Sequence, residues 1–203
     1  MWSSARLAES GQKPNAPFLR AQTARGRFVR TAEATTLDAL VATGGVERGL
    51  AALFTEVNRV ARFGFTQTEL NREKLNLQRG LQRGAIEQSR SPSAPLADEF
   101  VRAFTTGEPI PGILYEYGLN QRFGPEITLA EVNGLAKDWV PDRSRLVAIT
   151  APQKDKATLP GEAKLAAVLA ATDKAPLTAY VGTVSTQPLL SRLPSAGPRP
   201  ATA

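Results

Sequence analysis

From Val46 onward the apolar positions Val46, Leu50, Leu53, Val57 and Val60 recur at steps of three and four, the spacing of one helical face. Gly44-Gly45 precedes this run and Phe63-Gly64 closes it, glycine being the residue that most easily leaves a helix. The next helix is marked at its start. Thr66 and Glu69 stand at the spacing of a capping box, and Phe65 and Leu70 flank it as a hydrophobic staple. Leu70, Leu77, Leu81 and Ala85 form its expected apolar stripe, whereas Arg72, Glu73, Arg79, Arg83 and Glu87 read as solvated, and Ser91-Pro92 ends it.

Pro95 suits the first turn of a third helix over 94–105, followed by a loop over 107–112 and a weaker helix over 113–122. A second capping box, Thr128 with Glu131 between staple residues Ile127 and Val132, starts a helix through Leu135 to Trp139 that must stop before Pro141. Ahead of the helices, residues 18–24 and 27–41 read as two strands of an antiparallel hairpin, with Arg25-Gly26 as the turn. Leu146-Val147-Ala148-Ile149 reads as a short buried strand. Residues 1–16 are polar, with Leu7 as their only aliphatic anchor, and read as a helix end or a tether. Beyond Ala151 the texture changes: seven of the 15 prolines lie between Pro152 and Pro200, interrupted by an Ala/Leu-rich helix over 162–171. The expected architecture is α+β, a small mainly antiparallel sheet packed against several α-helices. Its body is 17–152, with 1–16 leading in and 153–203 as a Pro-rich linker containing one short helix.

Composition narrows the chemistry. The 203 residues suffice to bury a core without a metal or disulfide staple, and 42% apolar with 22% charged residues describes a globular chain. There is no cysteine and no histidine, which removes disulfides, thiolate metal sites, the commonest zinc ligand and the usual general base near neutral pH. Carboxylates, hydroxyls, lysine or tyrosine would have to carry any reaction. No apolar run has the length of a signal peptide or a membrane span, so the chain reads as soluble, with its compartment open. The net charge is +6, and its densest basic patch is Arg20, Arg25, Arg27 and Arg30.

Each candidate site has a plainer reading. Gly44-Gly45-Val46-Glu47-Arg48-Gly49 could present helix N-terminal amides to a phosphate, yet it lacks the lysine and hydroxyl of a P-loop and fits an ordinary strand-to-helix connection. The carboxylate pairs Asp98-Glu99, Glu69/Glu73 and Glu116/Glu126 fit solvated helix faces, and Glu69 already has a capping role. Lys74 lies among Leu70, Leu75 and Leu77 and is expected to snorkel to solvent. The four arginines could meet phosphates while Phe18 and Phe28 stack on bases, which makes a basic scaffold or nucleic-acid-binding module the alternative reading. The competing role of those arginines is to keep an exposed strand edge from pairing with other chains.

The ordered set Glu56-Val57-Asn58-Arg59-Val60, Phe63-Gly64-Phe65-Thr66, Glu69-Leu70, Ile127-Thr128-Leu129-Ala130-Glu131-Val132-Asn133 and Val147-Ala148-Ile149-Thr150-Ala151-Pro152 resembles the pitrilysin/insulinase family of zinc metallopeptidases (inverzincins). The resemblance runs from about Arg6 to Pro194. It implies two homologous halves, each of two α+β domains of the mitochondrial-processing-peptidase-like type, closing around a chamber that holds an unfolded peptide. Zinc would be held in the first domain only, by an H-x-x-E-H helix and a later glutamate. This chain matches the second domain of the N-terminal half, and its tail from Tyr180 to Pro194 matches the connector to the other half. No catalytic or metal residue carries over, so no cofactor is expected in this chain and zinc is expected in the parent protein. The implied partners are the remaining domains of the parent peptidase and its peptide substrate, with no membrane span, and nucleic acid is not expected. What does carry over is an exosite strand, Phe18, Leu19, Arg20, Ala21, Gln22 and Thr23, to which a substrate's N-terminal end would add as an extra β-strand. Leu19, Arg20 and Ala21 stand where the family often has glycines, and Arg20 and Arg25 would favour acidic peptides.

Overall fold

The computed structural model of the chain describes residues 2–29, 32–137, 139 and 144–182. Two antiparallel strands, β1 (Arg20–Val29) and β2 (Ala32–Leu40), form the sheet seen among these residues. The hairpin is present, but its turn is not at Arg25-Gly26. Arg25 lies opposite Thr35 and Gly26 opposite Ala34, inside the ladder. A turn at Arg25-Gly26 would set Leu37 against Pro14, which has no N–H to offer. The observed register instead pairs Ala21 with Ala39 and Thr23 with Leu37, which puts all four half-buried side chains on one face.

That face is covered by α1 (Trp2–Gln12) and α2 (Val46–Phe63). The opening segment is therefore a helix, whose Leu7 joins Phe18 and Leu53 in a buried cluster flanked by Ala21, Leu37, Ala39 and Val41. Helix α2 follows the anticipated boundaries, from after Gly45 to before Gly64. It meets the hairpin closely at Gly49, where an added Cβ would lie 2.5 Å from Val41 Cγ1. Gly49→Ala is expected to cost about 1–3 kcal/mol by overpacking, read as a lower urea midpoint at unchanged m-value.

A second cluster forms where α2, α3 (Gln67–Ile86) and α6 (Leu129–Ala136) converge: Val60, Phe65, Leu70, Val132 and Ala136, with Leu129 and Trp139 packed against it. Both capping boxes are formed. Thr66 accepts from Glu69 N and Thr128 from Glu131 N, while each glutamate accepts from its threonine's backbone N–H. The first staple closes inside the core, Phe65 and Leu70 sharing one cluster. Helix α6 stops at Ala136, before Trp139, whose ring stands 5.9 Å from that of Phe65.

The expectations for Leu77 and for Leu146-Val147-Ala148-Ile149 fail for lack of a partner surface. Within the α3 stripe Leu77 is 51% exposed, whereas Leu70 is buried, Leu81 and Ala85 are half-buried, and α3 packs against α5 (Ile113–Phe123). Helix α4 (Ser93–Thr106) buries none of its residues. Leu146-Val147-Ala148-Ile149 is not a strand, and Leu146 is 90% exposed. A strand needs a neighbouring edge to complete its ladder, and among the described residues none lies beside it.

Beyond Ala151, α7 (Glu162–Lys174) outlasts its expected end and packs along α2, with Asn58 Nδ2 donating to Asp173 Oδ1 at 3.0 Å. After it, Arg62 Nη1 donates to Ala175 O at 3.0 Å and Arg59 Nη1 to Thr178 O at 2.6 Å, so residues 175–182 run across α2 as a strap. No helix among the described residues is long and apolar enough to cross a membrane.

Candidate functional site

The expected peptide-binding strand occupies the start of β1. Phe18 precedes the strand and is 2% exposed, so its ring anchors the segment in the core. Leu19 is exposed, and its N–H donates to Leu40 O at 2.7 Å. Arg20 and Gln22 face solvent, whereas Ala21 and Thr23 lean toward the helices. Arg20, Ala21, Gln22 and Thr23 pair with Leu40, Ala39, Asp38 and Leu37. Residues of an antiparallel strand turn their backbone groups alternately toward and away from the partner strand. No third strand pairs with β1 among the described residues.

Of the arginines nearby, Arg20 is exposed at the strand start, while Arg25 makes a 3.3 Å ion pair with Glu33 and lies 5.7 Å over the Trp139 ring. Arg30 and the Phe28 side chain lie outside the described residues. Burial of Phe18 removes one of the two rings that base stacking required, which takes away half of the aromatic basis of the nucleic-acid alternative.

The structure also assembles a polar cluster that local sequence reading does not anticipate. Arg6 and Glu69 are 1% and 3% exposed and form a bidentate pair, Nε to Oε1 at 2.6 Å and Nη2 to Oε2 at 2.7 Å. Arg6 Nη2 also donates to Gly64 O at 2.9 Å. The guanidinium lies 5.3 Å from the Phe65 ring centroid and 4.3 Å from that of Tyr180. Tyr180 in turn donates to Glu9 Oε2, and Glu9 Oε1 stands 3.8 Å from Arg72. A cavity of about 500 Å³ opens beside the cluster, lined by Arg6, Glu9, Lys13, Glu56, Arg59 and Tyr180, among others. Only the capping role of Glu69 was visible locally; its partner Arg6 is remote in sequence.

The electrostatics of the cluster are structural. Burial alone would push the Glu69 carboxyl up, but the hydrogen bond from Arg6, the bonds from Thr66 and the charge of Arg6 together hold it below the usual carboxylate range. Burial, then the hydrogen bond to Glu9, push the Tyr180 phenol up to about 12. Neither group is placed to exchange protons near neutral pH. Glu69 is thereby removed from the pair Glu69/Glu73, and Lys74 donates to Pro125 O at 2.9 Å. The Gly44-Gly45 stretch is the tight connection into α2, with Gly45 N donating to Ala42 O at 2.8 Å.

The residues present do not fit a zinc site. The chain has neither histidine nor cysteine, and no group of three or more carboxylates that could hold a metal ion occurs among the described residues.

No protein-family model matches the chain, and no curated protein matches it. Solved structures do. The first half of the periplasmic protease PqqL from Escherichia coli is 14% identical with a TM-score of 0.72, over 89% of this chain and 39% of that one. Full PqqL is 14% identical with a TM-score of 0.74, over 93% of this chain and 21% of that one. A predicted insulinase family protease from Yersinia pestis is 16% identical with a TM-score of 0.55, over 83% and 38%. The chain thus spans well under half the length of each of these proteins, and it has an α+β fold like part of an insulinase-family protease half.

Proposed function

We propose that this chain is a noncatalytic, substrate-chamber domain of a larger zinc-dependent metalloendopeptidase, the second domain of its N-terminal half. The observation that carries the reading is the fold match over 89% of this chain to less than half of a protease half. It is joined by a residue content that cannot supply histidine ligands, which supports a reading in which zinc and the hydrolytic step belong to the remainder of the parent. In this division 17–152 is the domain body, 1–16 leads into it and 153–203 leads away; most of the expected connector, 180–194, lies outside the described residues.

The role of this piece is to hold peptide at the chamber wall. The segment Phe18, Leu19, Arg20, Ala21, Gln22 and Thr23 is the proposed contact, with the substrate's N-terminal end adding beside β1 and Arg20 and Arg25 drawing acidic side chains. Two measurements test this. The isolated chain with zinc and a peptide substrate should show no hydrolysis, and robust metal-dependent cleavage would overturn the assignment. In fluorescence anisotropy, an acidic extended peptide should bind the chain more tightly than a basic one. Exposed charge pairs are each worth up to about 1 kcal/mol, so charge reversal at Arg20 and Arg25 together should change that preference on the order of tenfold. An unchanged preference would remove the strand from the reading.

A further inference from the structure

Two buried polar atoms of opposite kind stand without a hydrogen-bond partner in residues that line the same cavity. Arg6, on α1, turns Nε and Nη2 to Glu69 and Gly64, and its planar guanidinium leaves Nη1 on the other edge with nothing to donate to. Glu56, on α2, gives Oε1 to Arg59 Nε at 3.2 Å, while its Oε2 accepts from no group. Both residues line the cavity of about 500 Å³ bounded by α1, α2 and the strap, a volume in the range of small-molecule sites. The two atoms are shielded from solvent, so bulk water does not satisfy them, and an unpaired donor and acceptor at such depth call for a cause.

Most charges around the cavity close on one another. Arg6 pairs with Glu69, Arg59 with Glu56, and Glu9 stands 3.8 Å from Arg72. The remaining charged residue of the lining is Lys13, exposed just past the end of α1. The site therefore offers a donor, an acceptor and a separate cation. A simple anion would leave Glu56 Oε2 unpaired, and a simple cation would leave Arg6 Nη1 unpaired. We propose that this cavity binds a short peptide with a free C-terminus. Its carbonyl oxygen accepts from Arg6 Nη1, its N–H donates to Glu56 Oε2 and its carboxylate meets Lys13. The wall that gives way is the strap. Residues 178–181 line the cavity, and Tyr180 covers the guanidinium at 4.3 Å. Side-chain contacts with Arg59, Arg62 and Glu9 hold the strap, with no strand ladder to it among the described residues. Segments held in this way open at low cost, so a peptide reaches the two shielded atoms by displacing Tyr180. No residue of β1 lines this site, and it does not depend on the peptidase reading.

The test is titration of the isotopically labelled chain with triglycine, triglycinamide and acetate, followed by amide-resolved NMR. Triglycine should give saturable shifts over α1 and residues 175–182, with a dissociation constant on the order of millimolar. Triglycinamide should bind about fivefold more weakly, the worth of one exposed charge contact, and acetate should not saturate. Lys13→Gln, at an exposed position, should make triglycine bind like its amide. Glu56→Gln should weaken both peptides at least tenfold, because Arg59 retains the amide oxygen and the new NH2 group meets the ligand's N–H. Equal binding of triglycine and triglycinamide would overturn the proposal, as would acetate binding as well as triglycine. Shifts confined to β1 would move the peptide to the strand and overturn it too. Absence of saturable shifts would leave a bridging water as the partner of the two atoms and remove the site.

Discussion

Arg6→Met should lower the unfolding free energy by about 3–5 kcal/mol, the range for removing one partner of a buried ion pair. The cost comes from what remains: Glu69 would keep its place at the cap of α3, buried and without the guanidinium that now binds both of its oxygens. Met is chosen because it keeps the apolar stem between Phe65 and Tyr180. The double variant Arg6→Met/Glu69→Gln should recover a large part of the loss, since no charge is then stranded, and a double-variant loss equal to the sum of the Arg6→Met and Glu69→Gln losses would show that the pair is not coupled. pH provides a second readout. The Glu69 carboxyl is held below its ordinary value in the folded chain, so its contribution is fully present above the unfolded carboxylate pKa of about 4.3 and is lost as pH falls through the folded value. With Arg6 gone, its hydrogen bond and charge no longer offset burial and only the Thr66 bonds still lower the carboxyl, so the variant should lose less stability on acidification than the parent does. Parallel pH profiles for the two proteins would contradict this account.

Gly64→Ala should cost about 3 kcal/mol or more. Gly64 sits at φ 69° and ψ −160°, a region that only glycine occupies without strain, and such residues carry a penalty of about 1–3 kcal/mol when they bear a side chain. A steric conflict adds to it, because a Cβ there would lie 2.6 Å from Asn133 Cγ and Oδ1. Asn133 cannot simply move aside. Its Oδ1 accepts from Phe65 N at 2.7 Å and its Nδ2 donates to Phe65 O at 3.2 Å, which satisfies the backbone between two helices. Denaturant unfolding of Gly64→Ala, Asn133→Ala and the double variant separates the two parts: the double should cost less than the sum of the singles, because truncating Asn133 removes the clash and leaves the strain. Strict additivity would place the whole cost in the backbone.

Helix starts were the most legible part of this sequence, because their chemistry is local. Thr66 with Glu69 and Thr128 with Glu131 state their hydrogen bonds within four residues, and the structure forms both. The hairpin was legible as an element but not in its turn, since Gly26 is permissive in a strand as well as in a turn, and the register was decided by burying Leu37 and Ala39 on a helix face. Leu146-Val147-Ala148-Ile149 misled for the opposite reason: its composition is that of a strand, but a strand is a relation between two segments, and the second is not among the described residues. For the candidate site, the exposure of Arg20 and Gln22 was implied by alternation, whereas the burial of Phe18 was not, because a single aromatic before a strand carries no period. The Arg6 cluster lay beyond any local signal, since Arg6 meets Glu69 and Tyr180 only through the completed fold.

The contact of the Arg6 guanidinium with Tyr180 brings the first helix and the strap beyond α7 within one side chain of each other. A tension applied between these two segments would be carried in part by this contact. The bonds linking Arg6, Glu69, Tyr180 and Glu9 would share it, with Arg59 and Arg62 holding the strap behind them. Mechanically the strap is fastened to the first helix at Tyr180 and to α2 at Arg59 and Arg62, and pulling on it should release it from α2 before the two-stranded ladder yields.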